Sequence, residues 1–163
     1  MDEAGPCNAW KVVRFRPGAP VFMLDCLILG DSIAVGTQMF YKECELLGKG
    51  GINTWQWNQI YPSITKSSDK VIISLGTNDH RGVNTRKELE KVRQKVEANK
   101  VYWILPYGNL EASKVPIAEI QNIVKDIAAQ YKDTVIAIED IQADKIHPSW
   151  SGYKKIVDQV KKN

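Results

Sequence analysis

One serine, one histidine and an aspartate three residues before that histidine carry the chemistry this chain can offer. They are Ser32 in Gly30-Asp31-Ser32, and Asp144 and His147 in Asp144-Lys145-Ile146-His147-Pro148. A serine hydroxyl is a weak nucleophile until an imidazole takes its proton, and the imidazole needs an acid on its other nitrogen to fix the tautomer. The spacing of Asp144 and His147 lets one loop or helical turn present both side chains on the same side. Acyl transfer also needs fixed donors for the negative oxygen of a tetrahedral intermediate. The backbone N–H groups of Ser32 and Gly51 and the side-chain amide of Asn78 are the candidates, and losing one such donor costs ~10²–10³ in rate. Glycine at position 51 lets backbone approach the reacting carbon closely. Gly50 beside it is the alternative donor.

These residues are useful only if separate parts of the chain deliver them to one place. Val21 to Leu29 reads as a strand ending at Gly30-Asp31-Ser32, and Cys44 to Leu47 as a shorter one running into Gly48-Lys49-Gly50-Gly51. Val71 to Leu75 is a buried strand that ends at Gly76-Thr77-Asn78-Asp79. Val101 to Leu105 is stopped by Pro106, and Val135 to Ile138 precedes the Asp144 block. Helices fall between: about 34 to 43, 53 to 61, a stretch bearing Leu89, Val92 and Val96, and one with Ile120, Ile123, Val124, Ile127, Ala128 and Tyr131 on a single face. A last helix carries Tyr153, Ile156, Val157 and Val160 as one stripe.

Short strands alternating with longer helices predict a parallel sheet covered on both faces. The expected fold is therefore α/β, a three-layer α/β/α sandwich with five parallel strands in the flavodoxin-like order 2-1-3-4-5. In that arrangement the loops after the strands gather along one sheet edge, and all the candidate residues sit in those loops. At 163 residues the chain is sized for one domain. Residues 1–20 read as an N-terminal extension or edge strand, with Trp10 to Phe15 extended and Arg16-Pro17-Gly18 a turn, and 21–163 as the body.

The four blocks, in this order, resemble those of the SGNH hydrolases, also called GDSL esterases and lipases. Gly30-Asp31-Ser32 is similar to the family's first block, Gly51 to its glycine block, Gly76-Thr77-Asn78-Asp79 to its Gly-x-Asn-Asp block, and Asp144 to His147 to its Asp-x-x-His block. The likeness spans residues 26 to about 160. It implies Ser32 as nucleophile and oxyanion donor, Gly51 and Asn78 as the other donors, and a triad completed by His147 and Asp144. It also implies the same sandwich fold and no metal or organic cofactor. Two departures stand out. The family's glycine block usually reads Asn-x-Gly-x-Ser-Gly, whereas this chain has Gly48-Lys49-Gly50-Gly51-Ile52-Asn53-Thr54. The chain is also short for the family, which predicts few insertions and an open, shallow site.

Composition narrows the remaining choices. A 44% apolar and 25% charged chain with net charge +3 is ordinary for a soluble globular protein. Its charges are interspersed, as in Arg86-Lys87-Glu88-Leu89-Glu90-Lys91, which is a solvated helix face and not a nucleic-acid footprint. No run is long enough to span a bilayer and no signal peptide is visible, so a cytoplasmic location is the default expectation. Three cysteines make neither an even disulfide framework nor a metal spacing, and Cys26 and Cys44 read as small core residues. Two histidines and dispersed cysteines do not assemble a zinc site.

Trp55, Trp57 and Trp150 lie within a few residues of the blocks and could stack on sugar rings, core packing being the competing reading. His80 reads as a loop residue, with substrate contact and competing base as alternatives. Asp31 and Asp79 read as turn-fixing residues rather than acids of the reaction. The function expected is a serine esterase for short acyl, chiefly acetyl, esters of small molecules or glycans. The alternatives are a lysophospholipase or thioesterase, or a binding module that keeps the fold without the chemistry.

Overall fold

The computed structural model describes residues 10–16 and 19–163, with side chains from residue 23 onward. Residues 1–9 and the Pro17-Gly18 part of the expected turn lie outside the described residues.

Side-chain alternation builds the sheet and divides the core. Along β2 (Ala19–Gly30), Leu27 and Leu29 enter one core layer while Cys26 and Ile28 enter the other, as the two-residue repeat of a strand requires. β4 (Ser67–Ser74) does the same with Val71 and Ile73 against Ile72, and β5 (Ala98–Ile104) with Trp103 against Tyr102 and Ile104. The strands are thus apolar on both faces, the mark of a sheet covered on both sides.

β3 (Glu45–Gly48) and β6 (Thr134–Ile136) complete a parallel set in the order β3-β2-β4-β5-β6. Counting the parallel strands alone, this is the 2-1-3-4-5 order that the sequence predicts. β1 (Trp10–Arg16) runs antiparallel along the first half of β2, from Trp10 opposite Leu24 to Arg16 opposite Ala19. It occupies the part of β2 that β3 leaves uncovered.

The helices sort by face. α2 (Thr54–Ile60), α3 (Thr85–Gln94) and α4 (Ile117–Tyr131) contribute Trp57, Leu89, Val92, Val124 and Ile127 to one layer. α1 (Ser32–Phe40) and α5 (Trp150–Lys162) contribute Ile33, Ala34, Tyr153, Ile156 and Val160 to the other. Ile28, Leu29, Ile72 and Ile73 are fully buried, each worth about 1.5–3 kcal/mol relative to exposure. A one-residue slip of β2 would swap its two apolar sets and move Ser32 along the edge, so burial holds the register. Among the described residues no helix is long and apolar enough to cross a membrane.

One expectation is corrected. Cys26 and Cys44 are buried as expected, but they are joined by a disulfide. Parallel pairing of Leu27 with Glu45 and Ile28 with Leu46 places the residues one step earlier, Cys26 and Cys44, side by side with Cα atoms 4.4 Å apart.

Candidate active site

β2 ends against β4, and that junction aims Ser32. Gly30 takes φ +148°, and any Cβ there would collide with the carbonyl of Ser74. The Asp31 N–H donates to the same Ser74 carbonyl at 3.0 Å. Asp31 then caps α1, its Oδ1 accepting from the Ile33 N–H at 3.0 Å. Ser32 is the first residue of that helix, so its side chain leaves the chain at the sheet edge.

The loop before α5 brings the base. Gln142 donates its N–H to the His147 carbonyl at 2.8 Å, and Ile141 bridges to Pro148. Between them Lys145 takes a left-handed φ of 61°, and the Ile146 and His147 N–H groups both reach Asp144 Oδ1, at 2.9 and 3.0 Å. Asp144 Oδ2 lies 2.6 Å from His147 Nδ1, and His147 Nε2 lies 2.8 Å from Ser32 Oγ. The His147 N–H, with that of Ile146 and the ring itself, holds the Asp144 pKa down to about 2. An ionised Asp144 keeps the proton of a neutral ring on Nδ1 and leaves Nε2 free to accept one.

The loop after β3 supplies both glycines. Gly50 lies against the serine, since a Cβ built on it would sit 3.8 Å from Ser32 Cβ. Gly51 takes φ +79° with open space around it, so its conformation and not crowding calls for glycine. From the third loop, Asn78 Nδ2 donates to the Ile52 carbonyl at 2.9 Å. That bond uses one of two amide hydrogens and ties the Asn78 loop to the glycine loop.

Two aspartates buttress the loops from below. Asp31 is fully buried, its Oδ2 has no partner, and burial pushes its pKa up to about 7. Asp79 accepts from the Thr54 N–H at 2.9 Å, from the Thr54 hydroxyl at 2.8 Å and from the Thr85 hydroxyl at 2.6 Å. Burial raises its pKa as well. Both fix turns, as their sequence context suggests. Thr54 and Thr85, given no role in the sequence reading, pin the starts of α2 and α3 to the Asn78 loop. The Asn53-x-x-Gln56 spacing was the available signal, because it is a capping box: Asn53 Oδ1 accepts from the Gln56 N–H at 2.8 Å and Gln56 Oε1 from the Asn53 N–H at 2.9 Å.

The three tryptophans part company. Trp57 is fully buried and donates its indole N–H to the Leu47 carbonyl at 2.9 Å. The expectation that it touches substrate is therefore corrected: α2 turns Thr54, Trp57 and Asn58 inward at helical spacing. Trp55, on the outer side of the same helix, is 51% exposed, and Trp150 at the start of α5 is 76% exposed and forms a T-shaped pair with Phe40. His80 is exposed and its Nδ1 accepts from the Gly82 N–H at 3.0 Å. It lines a cavity of about 350 Å³ with Asn53, Trp55, Gln56, Gly82 and Val83. Among the described residues no three His, Cys, Asp or Glu side chains gather into a set that could hold a metal ion.

No protein-family model matches this chain, and no curated protein sequence does. Solved structures do match. A GDSL-like lipase from Bacteroides thetaiotaomicron is 16% identical with a TM-score of 0.60, over 84% of this chain and 85% of that one. A member of the lipolytic G-D-S-L family from Veillonella parvula is 17% identical with a TM-score of 0.57, over 84% and 96%. The C-terminal catalytic domain of peptidoglycan O-acetyltransferase A from Streptococcus pneumoniae is 15% identical with a TM-score of 0.56, over 84% and 90%. The chain thus has the α/β/α fold of the GDSL, or SGNH, hydrolases.

Proposed function

We propose that this chain is a serine ester hydrolase that removes short acyl groups, acetyl above all, from polar alcohols such as carbohydrate. The observation that carries the proposal is the relay from Ser32 Oγ to His147 Nε2 at 2.8 Å and from His147 Nδ1 to Asp144 at 2.6 Å. Three residues from two distant segments meet at hydrogen-bonding distance, in the order that proton removal from a serine requires.

In this reading Ser32 Oγ attacks the ester carbonyl carbon as its proton passes to His147 Nε2. The carbonyl oxygen becomes an oxyanion, met by the Ser32 N–H, the Gly51 N–H (or that of its neighbour Gly50) and the second amide hydrogen of Asn78. The C–O bond to the alcohol then breaks, and the departing oxygen takes the proton from His147. Water attacks the acyl-Ser32 ester, gives its proton to His147, and the acid leaves as Ser32 Oγ recovers it. Asp144 stays ionised throughout and stabilises the imidazolium.

The acetyl preference draws support from the S. pneumoniae structure, whose protein is a peptidoglycan O-acetyltransferase. In this reading residues 21–163 are the catalytic unit and 1–20 an N-terminal extension or edge strand, the pairing of β1 with β2 favouring the edge strand for Trp10–Arg16. The Cys26–Cys44 bridge favours work in an oxidising compartment over the cytoplasmic default, because cytosolic thiols are kept reduced.

The test is hydrolysis of p-nitrophenyl esters of rising acyl length, by the wild type and by Ser32→Ala. The expected result is fastest turnover of the acetyl ester and loss of turnover in the variant. Retention of wild-type rates by Ser32→Ala would overturn the assignment, and a preference for long acyl chains would redirect it to lysophospholipase chemistry.

A further inference from the structure

The cavity beside the Asn78 loop is lined by side chains that can offer hydrogen-bond donors, and the bonds those residues already make favour that role. A backbone N–H can be met only by the oxygen of a side-chain amide. The reciprocal bonds between Asn53 and Gln56 therefore engage one lone pair of each amide oxygen and fix the two side chains with their NH₂ groups as the donors they can offer. His80 behaves likewise. Its Nδ1 accepts from the Gly82 N–H, so the ring's proton sits on Nε2.

Gly82 makes that ring position possible. A Cβ there would lie 2.8 Å from His80 Cε1 and 3.0 Å from Nδ1, inside van der Waals contact. To these three donors the cavity adds the half-exposed indole of Trp55 and no lysine, arginine, aspartate or glutamate. Its volume of about 350 Å³ falls in the range of small-molecule sites, ~300–1,000 Å³.

Placement links the cavity to the reaction. Asn53 directly follows Ile52, whose carbonyl holds the Asn78 amide, and His80 comes two residues after Asn78. The two loops that present the glycines and Asn78 thus also form the cavity walls.

We propose that this cavity is a subsite for a sugar ring bearing neutral carbonyl groups, such as an N-acetylated hexosamine unit adjoining the ester. The ring's apolar face would stack on Trp55, and an acetamido oxygen would accept from His80 Nε2 and the amide of Gln56. A carboxylate or phosphate would find no cation in the lining. The place of this subsite in turnover rests on the ester-hydrolase reading, but the binding itself does not.

The experiment titrates the full chain carrying Ser32→Ala with N,N'-diacetylchitobiose and, separately, with the corresponding unacetylated disaccharide, following tryptophan fluorescence and amide chemical shifts. Saturable binding of the acetylated sugar is expected, about tenfold weaker for the unacetylated one, the scale of one good contact. Trp55→Ala and His80→Ala, both at exposed side chains, should each weaken binding about tenfold. His80→Gln, which can still donate, should recover part of the loss. Equal affinity for the two sugars, no saturable binding, or unchanged affinity in Trp55→Ala would overturn the proposal. Turnover of p-nitrophenyl acetate by wild type alongside such a failure removes only the subsite. Turnover that survives Ser32→Ala removes the hydrolase reading and leaves the binding result standing.

Discussion

Cys26 on β2 is bonded to Cys44, the residue immediately before β3. The strand that delivers Ser32 and the strand that delivers Gly50 and Gly51 are therefore covalently joined, four residues upstream of Gly30 in one and of Gly48 in the other. The bridge closes a short loop containing α1, the helix that begins at Ser32. Both sulfurs are buried, so the crosslink reinforces the layer on which the serine is carried.

Reduction of this bridge should lower stability measurably. For a sequence separation of 18, chain-entropy arguments give about 3 kcal/mol. In a domain of this size that corresponds to a fall in Tm of roughly 6–12 °C. Thermal scans with and without reductant, with free thiols counted afterwards, check it. An unchanged Tm with both thiols free would show that β2–β3 pairing alone holds the loop.

Replacing Asp144 by Asn isolates the orienting charge. The amide oxygen can still accept from the Ile146 and His147 N–H groups, so the turn survives, but an NH₂ now faces His147 Nδ1. The neutral ring must then carry its proton on Nε2, where it cannot take the proton of Ser32. The kcat for p-nitrophenyl acetate should fall ~10³–10⁴-fold with little change in Tm. Because its pKa is held down to about 2, Asp144 is also ionised throughout the range above about pH 4. Any loss of rate on acidification within that range must come from another group.

Much of this architecture was legible in the chain. Runs such as Val71-Ile72-Ile73-Ser74-Leu75 announce strands buried on both faces, and the stripe Tyr153, Ile156, Val157, Val160 announces a helix lying on one. Gly30-Asp31-Ser32 and Asp144-x-x-His147 were visible because turn geometry is local, and the parallel order then brings distant loops to one edge. Two kinds of fact were hidden. The Cys26–Cys44 bridge depends on the β2–β3 register, which an odd cysteine count disguises. Trp55 and Trp57 differ only in which side of a two-turn helix meets Leu47, and seven residues give a weak periodic signal. The cavity beside them depends on the 80–83 turn coming to lie against the start of α2, and only tertiary structure decides that.

Asp31 should give the protein a pH-dependent stability of unusual sign for an acid. Burial raises its pKa from 3.8 to about 7 in the folded state, so between those values the folded chain binds a proton that the unfolded chain has released. Its contribution is therefore most favourable below about pH 4 and declines as pH rises to about 7, by a total on the order of 4 kcal/mol. Asp31→Asn keeps an oxygen for the Ile33 N–H and cannot ionise. The Tm of the variant minus that of wild type should climb from about pH 4 to about pH 7 and level off above. Parallel Tm curves across that range would mean that Asp31 does not hold its proton in the fold.

Asn78 should separate oxyanion stabilisation from loop anchoring. One hydrogen of its amide is committed to the Ile52 carbonyl at 2.9 Å, and the other is the donor proposed for the oxyanion. Asn78→Ala removes both, and should lower kcat about 10²–10³-fold with a much smaller change in KM, as expected for a contact made only in the transition state. Loosening of the glycine loop alone would instead raise KM and lower Tm. Asn78→Asp tests the charge: it offers no donor when ionised and places a negative group near the developing oxyanion, so its kcat should lie below that of the alanine variant at neutral pH. Equal kcat in Asn78→Ala and wild type would leave the Ser32 and glycine N–H groups as sufficient donors and assign Asn78 to the loop alone.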